Sequence, residues 1–302
     1  MTWGRFPTCP GCNREAGAYT ARIIRMGSKP LQGILFDLDG VLYNSGSLIE
    51  GAVGAVAWVQ QRQIPHLFVT NTTSRSRTVL AGKLASLGFS VPETAILTPA
   101  VAAADWLRTS ESGAIALFVP TSTRGEFAGL PLLPVDAERG AGYVIVGDMG
   151  ERWDYRTLNR AFRLLHYNPE AVLIALGMTR YWLTADGISL DVAPFVAALE
   201  HAAGRKARVF GKPADAFFRA ATNRLALPAG QVLMIGDDIE VDIGGAQAAG
   251  LRGALVRTGK FRTADLDGPL SPFAVLDSVA DLPGWWESLR EAGGEWRNIV
   301  GT

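Results

Sequence analysis

The chain has no excess of either charge: lysine plus arginine and aspartate plus glutamate number 29 each in 302 residues. That balance excludes a global field for gathering nucleic acid or an anionic membrane, so an anionic ligand must find its positive partners locally. No apolar run approaches the roughly 18 residues that a bilayer-spanning helix needs, and the N-terminus lacks the apolar stretch of a signal peptide. The expected location is the cytoplasm. Cysteine is nearly absent, with only Cys9 and Cys12 in a Cys-Pro-Gly-Cys run. Such spacing suits half a zinc site or a redox turn, but a closed zinc site needs four ligands and there is no second pair. The pair therefore reads as part of a minor extension, unless two copies share one zinc, and Met26 is an alternative start. What the chain does have is apolar residues, 48% against 19% charged. This is enough for one large α/β domain, or for a core carrying an inserted second domain.

The organising stretch is Gly33-Ile34-Leu35-Phe36-Asp37-Leu38-Asp39-Gly40. Four consecutive non-polar residues fit a strand buried on both faces, and two carboxylates follow at its C-terminal end, where open α/β sheets place ligands. Aspartates two residues apart repel unless a cation or a shared proton compensates. A solvated turn after a core strand is the bland alternative; complementary groups elsewhere decide between them.

Residues 1–29 lack periodicity and read as a flexible extension. After the first strand, Ile49, Val53, Val56, Ala57 and Val59 recur at helical spacing up to Gln63, and Pro65 precedes a second buried strand over 66–70. This strand runs into Thr70, Asn71, Thr72, Thr73, Ser74 and Arg75. Hydroxyls and free N–H groups at a helix start suit phosphate oxygens, although they also serve as helix caps. A helix follows over 75–87. Residues 98–186 alternate helices at 100–108 and 155–166 with strands at 114–119, 142–146 and 171–176, the pattern of an inserted α/β domain. Its end, Arg180-Tyr181-Trp182, is a candidate pocket wall or simply packing.

The expected core resumes over 187–302, with a helix at 193–203 and a strand over 207–210 ending in Gly211-Lys212-Pro213. A helix at 216–224 leads to a fourth buried strand, 231–235, ending in Gly236-Asp237-Asp238. Asp238 and Asp242, four apart, share one face if a helix begins there. A strand at 253–256 and a helix around 285–289 close the chain. Gly253 to Lys260 superficially suggests a phosphate-binding P-loop, but it has five residues between the glycines and Phe261 where Ser or Thr belongs.

Four strand ends thus carry polar chemistry: Asp37 and Asp39, Thr70 and Asn71, Lys212, and Asp237 with Asp242. In this order the motifs resemble those of the haloacid dehalogenase-like hydrolases, over about residues 32–290, with an insertion similar to the C2 cap of subfamily IIA. Runs at 68–72, 173–177, 180–182, 187–192, 234–239, 244–247 and 257–261 are similar within that family to the phospholysine phosphohistidine inorganic pyrophosphate phosphatases and their dehalogenase-like relatives. The resemblance implies a Rossmann-like doubly wound parallel core over 30–97 and 187–302, with a C2-type cap over 98–186. It also implies a phosphatase acting on a small phosphorylated substrate, with homodimerisation through the cap as one arrangement.

The expected mechanism follows residue by residue. Asp37 is the nucleophile that forms an aspartyl-phosphate, and Asp39 is the general acid and then base. A phosphate dianion near three aspartates is repelled, each close pair costing on the order of 4 kcal/mol at an effective dielectric near 20. Mg²⁺ held by the Asp37 carboxylate, the Asp39 carbonyl and Asp237 answers that need. Lys212, positioned by Asp242 or Asp238, adds a second cation, and Thr70 with the Asn71 N–H takes the remaining oxygens. Some members of the phosphohistidine subfamily carry serine at the position of Asp39; its retention here predicts hydrolysis of ordinary esters besides P–N and P–O–P bonds. A phosphomutase and a phospholigand-binding module without turnover are the rival readings.

Overall fold

The computed structural model describes residues 30–110, 113–184 and 187–291; Cys9, Cys12 and Met26 lie outside them. The run Gly33–Asp37 forms β1, buried throughout, and a small hairpin follows, β2 (Tyr43–Asn44) with β3 (Ser47–Leu48). Next come β4 (His66–Val69) and β5 (Ile96–Leu97). The chain then lays down β6 (Ile115–Phe118), β7 (Tyr143–Val146) and β8 (Val172–Ala175). A hairpin of β9 (Tyr181–Thr184) and β10 (Gly187–Leu190) precedes β11 (Arg208–Val209). Finally β12 (Val232–Gly236), β13 (Arg252–Val256) and β14 (Ala274–Leu276) complete the strands.

Two parallel sheets result, as the α/β reading expects. The first has six strands in the order β14-β13-β12-β1-β4-β5, and the second four in the order β11-β8-β7-β6. In the first sheet Phe36 pairs with Ile235 on one side and Phe68 on the other. Because all three strands run the same way, this register brings Asp37, Thr70 and Asp237 to one edge. Phe36 and Phe68 stack there with ring centroids 5.6 Å apart, and both are fully buried. The paired strands therefore cannot slip by one residue without turning these rings to the opposite face.

Helices cover both faces. Ala52–Gln61 lies over one face of the first sheet, in a cluster with Ile34, Phe36 and Phe68. Arg77–Ser86 starts where the Ser76 hydroxyl accepts the Val79 N–H, and Pro99–Arg108 starts where Thr98 caps Val101. Proline at the first helical position loses no hydrogen bond there. Ala100 to Ala104 are all buried, in a cluster that joins Leu35 and Val69 of the first sheet to Ile145 and Ile174 of the second. Small side chains let this helix lie between the two sheets, so it is not confined to the insertion as its sequence position implies.

The most consequential difference concerns 192–210. The sequence reading returns helix 193–203 and strand 207–210 to the core. In the structure β11 pairs with β8 of the second sheet, and helix Val192–Ala203 buries Val192, Val196 and Leu199 against Val144, Leu173 and Ala175 of that sheet. A two-residue strand carries too little pattern to declare its partner, and an apolar helix face does not say which sheet it covers. No helix among the described residues is long and apolar enough to cross a membrane.

Candidate active site

The acidic edge is built on β1 and β12. The Asp37 carboxylate is 2.8 Å from the Lys212 ammonium, which also reaches Asp242 at 2.6 Å. All three side chains are buried or nearly so. One ammonium thus bridges two carboxylates, and both acids come from the first sheet's strand ends whereas the lysine follows β11 of the second. Asn71 makes that delivery exact in position: its amide donates to the Lys212 carbonyl at 2.8 Å and accepts the Lys212 N–H at 2.7 Å. The expected Asn71 contribution was its backbone N–H; the side chain has this second duty, which sequence spacing could not show.

Asp242 and Asp238 divide the work that the sequence left open between them. Asp242 holds Lys212, and its other oxygen accepts the Asp238 N–H at 3.3 Å. Asp238 caps the turn beginning at Ile239, accepting from the Glu240 and Val241 N–H groups, and meets the Lys260 ammonium at 3.3 Å. A Cβ at Gly236 would lie 2.3 Å from the Asp242 Cβ. Glycine at the end of β12 is therefore what lets Asp242 come back over the strand.

Asp37, Asp237 and Asp242 have carboxylate oxygens all within 4.8 Å of one another. Counting three carboxylates against the Lys212 ammonium leaves a net charge of minus two. Burial, partly opposed by Lys212, raises the Asp37 pKa. It also pushes Asp237 up to about 6, with the Lys260 N–H opposing and Asp242 reinforcing, and Asp242 up to about 6 against Lys212. For Lys212 burial acts in the lowering direction, but Asp242 and Asp37 outweigh it and its pKa lies above the ordinary value. The ammonium is charged, and the shortfall of positive charge falls on the acids. Asp237 Oδ1 is buried with no hydrogen-bond partner. An orphaned carboxylate oxygen, hard oxygen donors and two uncompensated negative charges fit a divalent cation.

The remaining predicted residues divide into two groups. Asp39 is exposed beside this edge, in a bridge with Tyr43. Thr70 accepts the Thr72 N–H at 3.3 Å, which leaves its own hydroxyl proton to give. Arg180 and Tyr181, by contrast, are exposed at the start of the β9–β10 hairpin, the guanidinium 5.8 Å from the Tyr181 ring centroid. Among the described residues no hydrogen bond or ion pair links either to the acidic edge; the Trp182 side chain lies outside them. Sequence reasoning gave no role to Thr258, Gly259 and Lys260 after β13, yet the Lys260 N–H donates to Asp237 Oδ2 at 2.7 Å. The signal available was a glycine and a lysine at a fifth strand end.

A buried carboxylate beside a fixed ammonium, an exposed acid and an acidic cluster that fits a cation are groups that phosphoryl transfer can use. The chain belongs to the haloacid dehalogenase-like hydrolases. The model of that name matches residues 34–129, and a second, described as HAD-hydrolase-like, matches 209–282. Human phospholysine phosphohistidine inorganic pyrophosphate phosphatase is 40% identical over 257 residues, spanning 83% of this chain and 92% of that protein. Bovine haloacid dehalogenase-like hydrolase domain-containing protein 2 is 37% identical, over 79% and 89% respectively. The solved p-nitrophenyl phosphatase from Archaeoglobus fulgidus superposes with a TM-score of 0.76 at 28% identity, covering 86% of this chain and all of that one. NagD from E. coli gives 0.75 at 26% identity, covering 84% and 98%.

Proposed function

We propose that this phosphatase hydrolyses small phosphorylated substrates, phosphoamides and pyrophosphate as well as phosphate esters, with Asp37 as nucleophile and Mg²⁺ as the cation. The observation that carries the reading is the Asp37–Lys212–Asp242 bridge beside the orphaned oxygen of Asp237. Asp37, the Asp39 carbonyl and Asp237 hold Mg²⁺, which supplies charge neutralisation to the phosphoryl group when bound. An Asp37 carboxylate oxygen attacks phosphorus while the bond to the leaving group breaks, and Asp39 gives the leaving atom its proton. Asp39 then takes a proton from water as that water attacks the aspartyl-phosphate, releasing inorganic phosphate and restoring Asp37. Lys212, whose other donors are fixed on Asp37 and Asp242, contributes its charge to the phosphoryl oxygens, and the Thr70 hydroxyl and Asn71 N–H take the rest.

The names of the relatives, phospholysine, phosphohistidine, pyrophosphate and p-nitrophenyl phosphatases, support the substrate range. Asp39 matters most where the leaving group is an alkoxide. Replacing Asp39 by Ser is expected to slow breakdown of the aspartyl-phosphate for every substrate and, in addition, to slow its formation most for alkyl esters and least for phosphohistidine and pyrophosphate. Leaving-group release in a single turnover and steady phosphate release from a sugar phosphate, phosphohistidine and pyrophosphate, with and without Mg²⁺, test the proposal. First-step rates lowered equally on all three after Asp39→Ser contradict the leaving-group role given to that residue, and turnover unaffected by chelation contradicts the role given to the cation.

A further inference from the structure

The Asp237 carboxylate sits in a socket that none of the four polar strand ends accounts for. Its Oδ2 accepts the Lys260 N–H at 2.7 Å. Two glycines close on the same atom: a Cβ added at Gly40 would lie 2.1 Å from Oδ2, and one at Gly259 would also lie 2.1 Å from it and 2.6 Å from the Gly40 Cα. Both glycines have positive φ, 85° and 63°, so a side chain at either is strained as well as obstructed. The turn after β1 and the turn after β13 are tied to each other by the Thr258 hydroxyl, which donates to the Gly40 carbonyl at 2.5 Å. Oδ2 is consequently bonded by the turn after β13 and closed in by the glycine of the turn after β1, while Oδ1 of the same carboxylate is buried and unpartnered.

We infer that the turn 257–260 is a positioning element, in which Thr258, Gly259 and the Lys260 N–H fix the Asp237 carboxylate so that Oδ1 alone is presented to the cation. The inference rests on the cation reading given above. Outer partners of a ligating carboxylate orient it and set its affinity, and here the outer partner is main chain, which no side-chain motif reveals. The Lys260 side chain has a different task, since its ammonium is on Asp238. Thr258 acts at one remove, holding the two turns together so that the socket keeps its width.

The test is isothermal titration of Mg²⁺ into the substrate-free full chain, beside steady-state kinetics over a Mg²⁺ series. With removal of an outer partner costing roughly 10- to 100-fold in metal affinity, Thr258→Val is expected near the lower figure and Gly259→Ala near the upper. Thr258→Ser restores the donor and the parental affinity. Lys260→Met keeps the N–H and does not weaken Mg²⁺ binding. Gly284→Ala, a glycine with nothing within 4 Å of an added Cβ, controls for glycine replacement as such. In kinetics, Thr258→Val shifts the Mg²⁺ activation midpoint and recovers the parental kcat at saturating Mg²⁺, with KM for substrate unchanged. A merely structural role would lower kcat at all Mg²⁺ concentrations.

Parental Mg²⁺ affinity in folded Thr258→Val overturns the inference, whether or not Gly259→Ala folds. The outcome also separates this inference from the reading beneath it. If Asp237→Asn loses Mg²⁺ binding but Thr258→Val and Gly259→Ala do not, only the positioning role fails. If the parent does not bind Mg²⁺, or Asp237→Asn binds it equally, the cation reading fails and the positioning role with it.

Discussion

The two parallel sheets bring opposite charge to the same place. Strand ends of the six-stranded sheet supply Asp37, Asp237 and Asp242, and the end of β11 in the four-stranded sheet supplies Lys212. Either sheet alone would bury charge without its counterpart, at a cost of several kcal/mol per ion. Packed together, they leave an incomplete balance that a divalent cation would close. The contrast extends to the surface. At the acidic edge Asp37, Lys212 and Asp242 are buried and paired with one another, whereas the β9–β10 hairpin of the inserted region exposes Tyr181 at 54%, Ile188 at 76% and Leu190 at 60%. Buried, over-determined groups suit chemistry common to every substrate, and an exposed hairpin suits discrimination among them.

The largest effect is expected where the first sheet supplies the proposed nucleophile. Asp37→Asn should lower kcat by on the order of 10⁴-fold or more while inorganic phosphate still binds, measured by titration; persistent turnover breaks the account at its base. Lys212→Met removes the second sheet's contribution. It leaves Asp37 and Asp242 buried without their ammonium, and should cost about 3–5 kcal/mol in stability and on the order of 10²- to 10³-fold in kcat. Lys212→Arg should not rescue it, because a planar fork cannot occupy the point between two carboxylates.

Asn71→Ala sharpens the comparison by loosening the joint between the sheets without removing a charge. Unpairing the Lys212 amide and carbonyl should cost about 1–3 kcal/mol, read by urea unfolding, and on the order of 10- to 100-fold in kcat through misplacement of the ammonium.

The unbalanced charge has a pH signature. Burial holds Asp237 and Asp242 up at about 6, above the ordinary 3.8. Between those values the folded, cation-free chain binds protons that the unfolded chain has released, so these groups reduce stability as pH rises through that window. Above about 6 both are charged in the folded state, and there the cation stabilises most. The Tm gain on adding Mg²⁺ should therefore be several degrees near neutrality and shrink as pH falls below about 6. A gain independent of pH would place the cation elsewhere. The smallest effects belong to the hairpin. Arg180→Ala and Tyr181→Ala should change stability by less than about 0.5 kcal/mol and shift relative kcat/KM among substrates by less than about tenfold.

The contrast between the sheets also explains what could be read in advance. Gly33 to Asp37 and Gln231 to Asp237 announce themselves because a fully buried strand is apolar at every position, so its polar end stands out. Helices 155–166 and 216–224 follow from their periodicity in the same way. The polar ending at Lys212 was legible, but its sheet was not, since β11 has two residues and shares such an ending with the core strands. The strands β5 and β14 were missed because two or three residues do not establish a period, and the β9–β10 hairpin because it lacks the continuous apolar run of a buried strand. The socket around Asp237 was invisible for another reason: it is made of N–H groups and of missing Cβ atoms, and only the approach of two turns in space gives those a meaning.

The central claim is that Asp37 carries the phosphoryl group between substrate and water. Acid quenching of the enzyme within a turnover of p-nitrophenyl phosphate, followed by peptide mass spectrometry, tests it most directly. The account predicts a phosphorylated peptide containing Asp37, lost in Asp37→Asn and accumulating when Asp39 can no longer activate water. A phosphoryl group on another residue, or burst-free turnover with no phosphopeptide at any quench time, would contradict it.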